Sequence, residues 1–127
     1  MLAPQKILLV DDNYIDLFIT RTFLEKFVGA ETISTANSGL EALNFIKNIN
    51  NGFPEIIFLD IKMPEMDGFE FLGEFEKLSD KRKTTCEIYM LSSSQDLNDV
   101  KKSYSNPHVK KFISKPISQE LLKNLFS

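Results

Sequence analysis

Short apolar runs alternate with amphipathic stretches along this chain. "KILLV" (6–10) is an aliphatic run, which predicts a strand buried on both faces. Ile15, Phe18, Ile19, Phe23 and Phe27 recur at three- and four-residue spacing, so 14–27 is predicted helical, capped by Asn13 and ended by Gly29. "ETISTA" (31–36) alternates and is rich in β-branched residues, a second strand. "SGLE" (38–41) has the form of a capping box, and Leu40, Leu43 and Ile46 continue a second helix. After the turn "NNGFP", the run "EIIFLD" (55–60) predicts a third strand. Pro64 and Gly68 make "MPEMDG" (63–68) a loop, and Phe71, Leu72, Phe75 and Leu78 mark a third helix. "CEIYMLS" (86–92) is a fourth strand, 95–104 a fourth helix, "VKKFIS" (109–114) a fifth strand and 118–126 a last helix carrying Leu121, Leu122, Leu125 and Phe126.

Five βα units in alternation argue for a parallel sheet with helices on both faces. In such sheets ligands bind beyond the carboxyl ends of the strands. Those ends carry chemistry. The first strand runs into Asp11 and Asp12, the third into Asp60, the fourth into Ser92 and the fifth into Lys115. An aspartate after one strand is an ordinary turn residue. Three carboxylates, a hydroxyl and an ammonium on one sheet edge are harder to explain that way. Clustered carboxylates call for a hard divalent cation, and Mg²⁺ takes one or two of them with water and phosphate oxygens. A carboxylate can also be the nucleophile in phosphoryl transfer, with Lys115 and Ser92 placed to meet phosphoryl oxygens.

Composition narrows the class. The 127 residues suit one domain, and 43% hydrophobic with 26% charged residues is ordinary for a globular chain. A net charge of −3 lacks the basic footprint of a nucleic-acid binder. One cysteine, Cys86, excludes an internal disulfide framework and fits a reducing compartment; on a strand it is expected to be buried. There is no apolar run near the ~20 residues of a membrane span, and "MLAPQ" is unlike a signal peptide, so a cytoplasmic location is expected.

The stretches "LLVDDN", "IIFLDIKMPEMDGFEFL", "YMLSSS" and "FISKPI" together resemble the receiver domain of two-component response regulators, the CheY-like superfamily, over essentially the whole chain (1–127). The resemblance implies a flavodoxin-like (βα)5 doubly wound sheet of strand order 2-1-3-4-5. It implies that Asp60 is the phosphoacceptor. Asp11, Asp12, Asp60 and the backbone carbonyl of Lys62 would hold Mg²⁺. Ser92 would sense the phosphoryl group, Lys115 would pair with it, and a cis bond would precede Pro116. Phe112, three residues before that lysine, would be the aromatic switch, and Met63, Pro64, Asp67 and Gly68 fit the loop beyond the acceptor. The implied partners are a sensor histidine kinase or a histidine phosphotransfer protein, and a downstream protein reading the surface of helix 4, strand 5 and helix 5. Such a chain is a signalling switch rather than an enzyme. With no output segment after the last helix, it is expected to act as a single-domain regulator. The "SDKRKTTC" stretch (79–86) and the "SNPHV" turn (105–109) depart from the family pattern.

Rival readings fail at their own motifs. A haloacid-dehalogenase-like phosphatase needs a second Asp two positions on, where Lys62 and Asn13 stand. A flavin or dinucleotide binder needs glycines after strand 1, and none occurs between residues 1 and 28. A phosphorylation-independent receiver-like binding module remains open. His108, the one histidine, follows Pro107 and is expected to face solvent. Lys101, Lys102, Lys110, Lys111 and Lys123 are expected to form a solvated basic face.

Overall fold

The computed structural model describes residues 6–94 and 96–126. Its chain order is β1 (Ile7–Val10), α1 (Tyr14–Leu24), β2 (Ile33–Ala36), α2 (Gly39–Asn48), β3 (Ile56–Asp60), α3 (Gly68–Glu76), β4 (Glu87–Ser92), α4 (Leu97–Tyr104), β5 (Val109–Ser114) and α5 (Gln119–Phe126). The strands form one parallel sheet in the order β2-β1-β3-β4-β5, as the resemblance implied. Every residue of β1 and β3 is buried, which explains their unbroken apolar sequences: both faces are covered.

Side chains of successive strand residues point to opposite faces and feed two cores. Leu8, Val10, Ile57, Leu59, Ile88 and Met90 pack with Ala42, Leu43 and Ile46 of α2 and Phe71, Leu72 and Phe75 of α3. Ile7, Leu9, Ile56, Phe58, Tyr89 and Leu91 pack with Leu24 of α1 and Leu122 of α5. Phe58 and Tyr89 stack in this second layer at 5.4 Å. Cys86 is buried as expected, and burial pushes its thiol up to about 12, so it is inert.

Most element ends fall within a residue or two of expectation; the start expected at 95 for α4 and the "MLAPQ" segment lie outside the described residues. The largest difference is in α1, which stops at Leu24 rather than at 27. Its last turn tightens there, with Lys26 and Phe27 donating to the carbonyls of Phe23 and Leu24. The face differs too. Thr20, Leu24 and Val28 are buried, whereas Tyr14, Ile15 and Phe18 are each at least 70% exposed. Two apolar stripes share this helix, and periodicity alone favours neither. On α2, Leu40 of the expected inner face is likewise exposed.

The "SDKRKTTC" stretch forms a 3₁₀ turn over Lys81–Thr85. Arg82 reaches back to the carbonyls of Ile49 and Asn50 and lies over the Phe53 ring, tying this turn to the end of α2. His108 departs from expectation. Its side chain is 13% exposed, its ring meets Phe75 edge-on at 5.3 Å, and its Nε2 lies 2.9 Å from Glu76 Oε2. The turn is therefore clamped to the end of α3. The five lysines of the last third are exposed as expected, although Lys102 lies over Phe69 and Lys110 pairs with Glu87.

Candidate functional site

The polarity of a parallel sheet brings all its strand ends to one edge. β1 delivers Asp11 and Asp12, β3 ends on Asp60, β4 ends on Ser92, and Lys115 follows β5 directly. One carboxylate oxygen from each of Asp11, Asp12 and Asp60 lies within 4.8 Å of the others. Asp11, Asp60 and Ser92 are buried, whereas Asp12 is exposed at the rim.

Lys115 lies in the same pit. Its Nζ is 2.8 Å from Asp11 Oδ2 and 3.1 Å from Asp60 Oδ1. A third carboxylate, Asp16 in the first turn of α1, lies 3.0 Å from the same nitrogen. Asp16 was missed in the sequence, where it reads as an ordinary acidic residue near a helix N-terminus. The remaining signal, its placement one turn after a strand-end pair, is weak without the fold.

Electrostatics follow from this crowding. Burial, and then the neighbouring Asp11 charge, push the Asp60 carboxyl up to about 6, with Lys115 opposing both. Burial alone would lower Lys115, but hydrogen bonds to Asp11 and Asp16 and the Asp60 charge outweigh it and hold the amine above the ordinary lysine range. Three carboxylates against one ammonium leave the pit with excess negative charge. Its all-oxygen donors, two of them buried, suit a hard cation such as Mg²⁺ better than a soft one.

The surrounding backbone fixes these side chains. Asp11 Oδ1 accepts the Asn13 N–H at 2.9 Å, and Asn13 Oδ1 accepts from Ile15 and Asp16 to cap α1. Gly68 N–H donates to the Ile61 carbonyl at 2.7 Å, pulling the start of α3 against the end of β3. A Cβ at Gly68 would stand 2.8 Å from the Asp60 carbonyl oxygen and 2.9 Å from Ile61 Cα, so only glycine fits there. Asp67 and Glu70 close a full capping box on α3, a motif not recognised in the sequence. Ser92 Oγ accepts the Ser94 N–H at 3.0 Å, and the Ser92 carbonyl accepts the Lys115 N–H at 2.8 Å. The Lys115–Pro116 bond is cis, as the resemblance implied. Lys62 stands exposed two residues past Asp60. Phe112 is half-buried against the α3-side core, and its amide donates to the Tyr104 hydroxyl at 3.0 Å.

A cavity of about 500 Å³ lies elsewhere. Lys6, Glu55 and Thr85 line it, each just before a strand, so it lies at the opposite sheet edge from the carboxylates.

The response regulator receiver domain family model matches residues 7–127. A probable methanogenesis regulatory protein, FilR2 of Methanothrix harundinacea, is 29% identical over 94% of this chain and 77% of its own length. Hybrid signal transduction histidine kinase L of Dictyostelium discoideum is 30% identical over 94% of this chain but only 7% of its own. The chain thus corresponds to a small part of such kinases. Among solved structures, a two component response regulator from Cytophaga hutchinsonii superposes with a TM-score of 0.86 at 31% identity, covering 94% of this chain and 92% of its own. The chemotaxis protein CheY4 of Vibrio cholerae gives 0.76 at 28% identity, covering 97% of each.

Proposed function

Because the chain belongs to the response regulator receiver domain family of two-component signalling, we propose that it is a phosphoacceptor switch, charged on Asp60 in a Mg²⁺-dependent reaction. The observation that carries this reading is the pit itself: three carboxylate oxygens within 4.8 Å of one another, with the Lys115 ammonium 3.1 Å from Asp60.

Asp11, Asp12, Asp60 and the carbonyl of Lys62 are the groups that would hold Mg²⁺, which when bound offsets the negative charge of an incoming phosphoryl group. Asp60 attacks the phosphorus of a phosphohistidine in line. An Oδ–P bond forms, the N–P bond breaks, and the imidazole keeps the electron pair. Lys115 neutralises charge on the transferred oxygens, and the Ser92 hydroxyl, now accepting from Ser94, donates to one of them. Turning Ser92 vacates space on the β5 side, and Phe112 moves inward. The surface of α4, β5 and α5 then changes, and a partner protein reads it. Phosphorylation acts by favouring a pre-existing state through differential stabilisation.

The donor is a sensor histidine kinase or a histidine phosphotransfer protein. Tyr14, Ile15 and Phe18 support a protein donor: they are exposed apolar side chains on the helix that starts beside the pit. The test is incubation with acetyl phosphate and Mg²⁺, followed by intact mass. One phosphoryl increment is expected, lost with EDTA and lost in Asp60→Asn. An unmodified wild-type mass would refute the reading and favour a phosphorylation-independent binding module.

A further inference from the structure

The Lys115 ammonium carries three N–H groups and has three carboxylates within 3.1 Å: Asp11, Asp16 and Asp60. Only two of these belong to the cluster whose oxygens converge; Asp16 stands outside it. Asp11 is doubly engaged, because Oδ1 accepts the Asn13 N–H and Oδ2 accepts Lys115. A cation that takes Oδ2 of Asp11 or Oδ1 of Asp60 therefore competes with Lys115 for that oxygen. The lysine needs somewhere else to place its protons. Asp16 provides that place in direct contact at 3.0 Å, and the pair lines a cavity of about 20 Å³ with Ile19, Thr20, Pro116 and Ile117.

We infer that Asp16 is a positioning residue: Lys115 pairs with all three carboxylates, and when a divalent cation takes Asp11 and Asp60 it is Asp16 that retains the ammonium on the α1 side and so eases its release from the other two. The inference rests on the reading of the pit as a Mg²⁺ site. Asp16 touches neither the cation nor the phosphoryl group and acts through Lys115. Without it, the ammonium has Asp11 and Asp60 as its remaining carboxylate partners, and gives them up to the cation less readily. The same anchor holds Lys115 within reach of an incoming phosphoryl oxygen, since one of its two other carboxylate contacts, Asp60 Oδ1, is on the acceptor itself.

A plain alternative is that Asp16 serves only α1, where an acidic residue in the first turn favours the helix dipole. A second alternative is that it attracts cations merely as one more negative charge. A double-mutant cycle separates all three. Magnesium affinity is measured by calorimetric titration of the full chain for wild type, Asp16→Asn, Lys115→Ala and the double variant. Asp16→Asn is expected to weaken Mg²⁺ binding roughly fivefold when Lys115 is present and to change it little when Lys115 is absent. Asp16→Glu, which keeps an acceptor for the lysine, is expected to restore binding. The ¹⁵N resonance of the Lys115 ammonium is expected to move in Asp16→Asn, with the circular dichroism spectrum unchanged. Equal weakening in both lysine backgrounds would overturn the inference, as would unaltered affinity in Asp16→Asn. If wild type binds no Mg²⁺, the functional reading falls together with it; if wild type binds Mg²⁺ and the cycle shows no coupling, only the role of Asp16 falls.

Discussion

Asp60 is a buried carboxylate beside another, and the fold is strained by its charge. Its pKa rises from the ordinary 3.8 to about 6, because burial and Asp11 disfavour ionisation more than Lys115 favours it. Each tenfold change in proton affinity corresponds to ~1.4 kcal/mol, so the ionised form costs the folded state about 3 kcal/mol at neutral pH. Asp60→Asn removes the charge and keeps the shape. Lys115 retains Asp11 and Asp16 as partners. The sign is fixed by linkage. A carboxyl whose folded pKa lies above its unfolded value contributes stability that is complete below about pH 4 and lost as pH rises through about 6. The variant is therefore expected to be more stable than wild type at pH 7.5 by up to about 3 kcal/mol, or roughly 10 °C in Tm for a chain of this size. The advantage is expected to shrink between pH 6 and 4, where wild-type Asp60 protonates. Urea unfolding in EDTA at pH 7.5, 6, 5 and 4 measures it. Added Mg²⁺ is expected to stabilise wild type more than the variant, narrowing the gap at pH 7.5. An equal midpoint at pH 7.5, or an advantage of the same size at pH 4, would refute the account of the pit as a seat of unrelieved charge.

Gly68→Ala is expected to lose about 1–3 kcal/mol by overpacking, since its new methyl would strike the Asp60 carbonyl and Ile61 Cα. Its rate of phosphorylation by acetyl phosphate is expected to fall as the Asp60 backbone is displaced. Tyr104→Phe removes the acceptor of the Phe112 N–H and is expected to cost about 0.5–1 kcal/mol; faster hydrogen exchange at that one amide is the check, and unchanged exchange would refute the bond. Native Cys86 is expected to resist a thiol reagent at pH 8 and to react fully in urea, because it is buried with its pKa near 12.

The sheet was legible because its strands are short apolar runs ending in polar residues, and because parallel pairing needs both faces covered. The same logic made Asp11, Asp12, Asp60, Ser92 and Lys115 readable as neighbours before any coordinate. What stayed hidden was tertiary. Nothing local tells α1 to bury Thr20 and Leu24 rather than Ile15 and Phe18. Asp16 becomes part of the site only because β5 carries Lys115 back beside the first helix. His108 looked like a free turn residue until α3 placed Phe75 and Glu76 against it. β5 also hides an irregularity: Ile88 and Tyr89 face Val109 and Lys111, leaving Lys110 as the extra residue of a bulge. No feature of "VKKFIS" announces it.

The bond from Lys115 to Asp11 spans 104 positions. Its two ends follow β1 and β5, the first and last strands of the sheet in chain order. A nascent chain therefore gathers its acids long before the one base that balances them has been synthesised. Until the outermost strand docks, the would-be acceptor faces its neighbours' repulsion with no ammonium between them. The balanced pit therefore exists only where the sheet is finished, and its charge reports that β5 has docked.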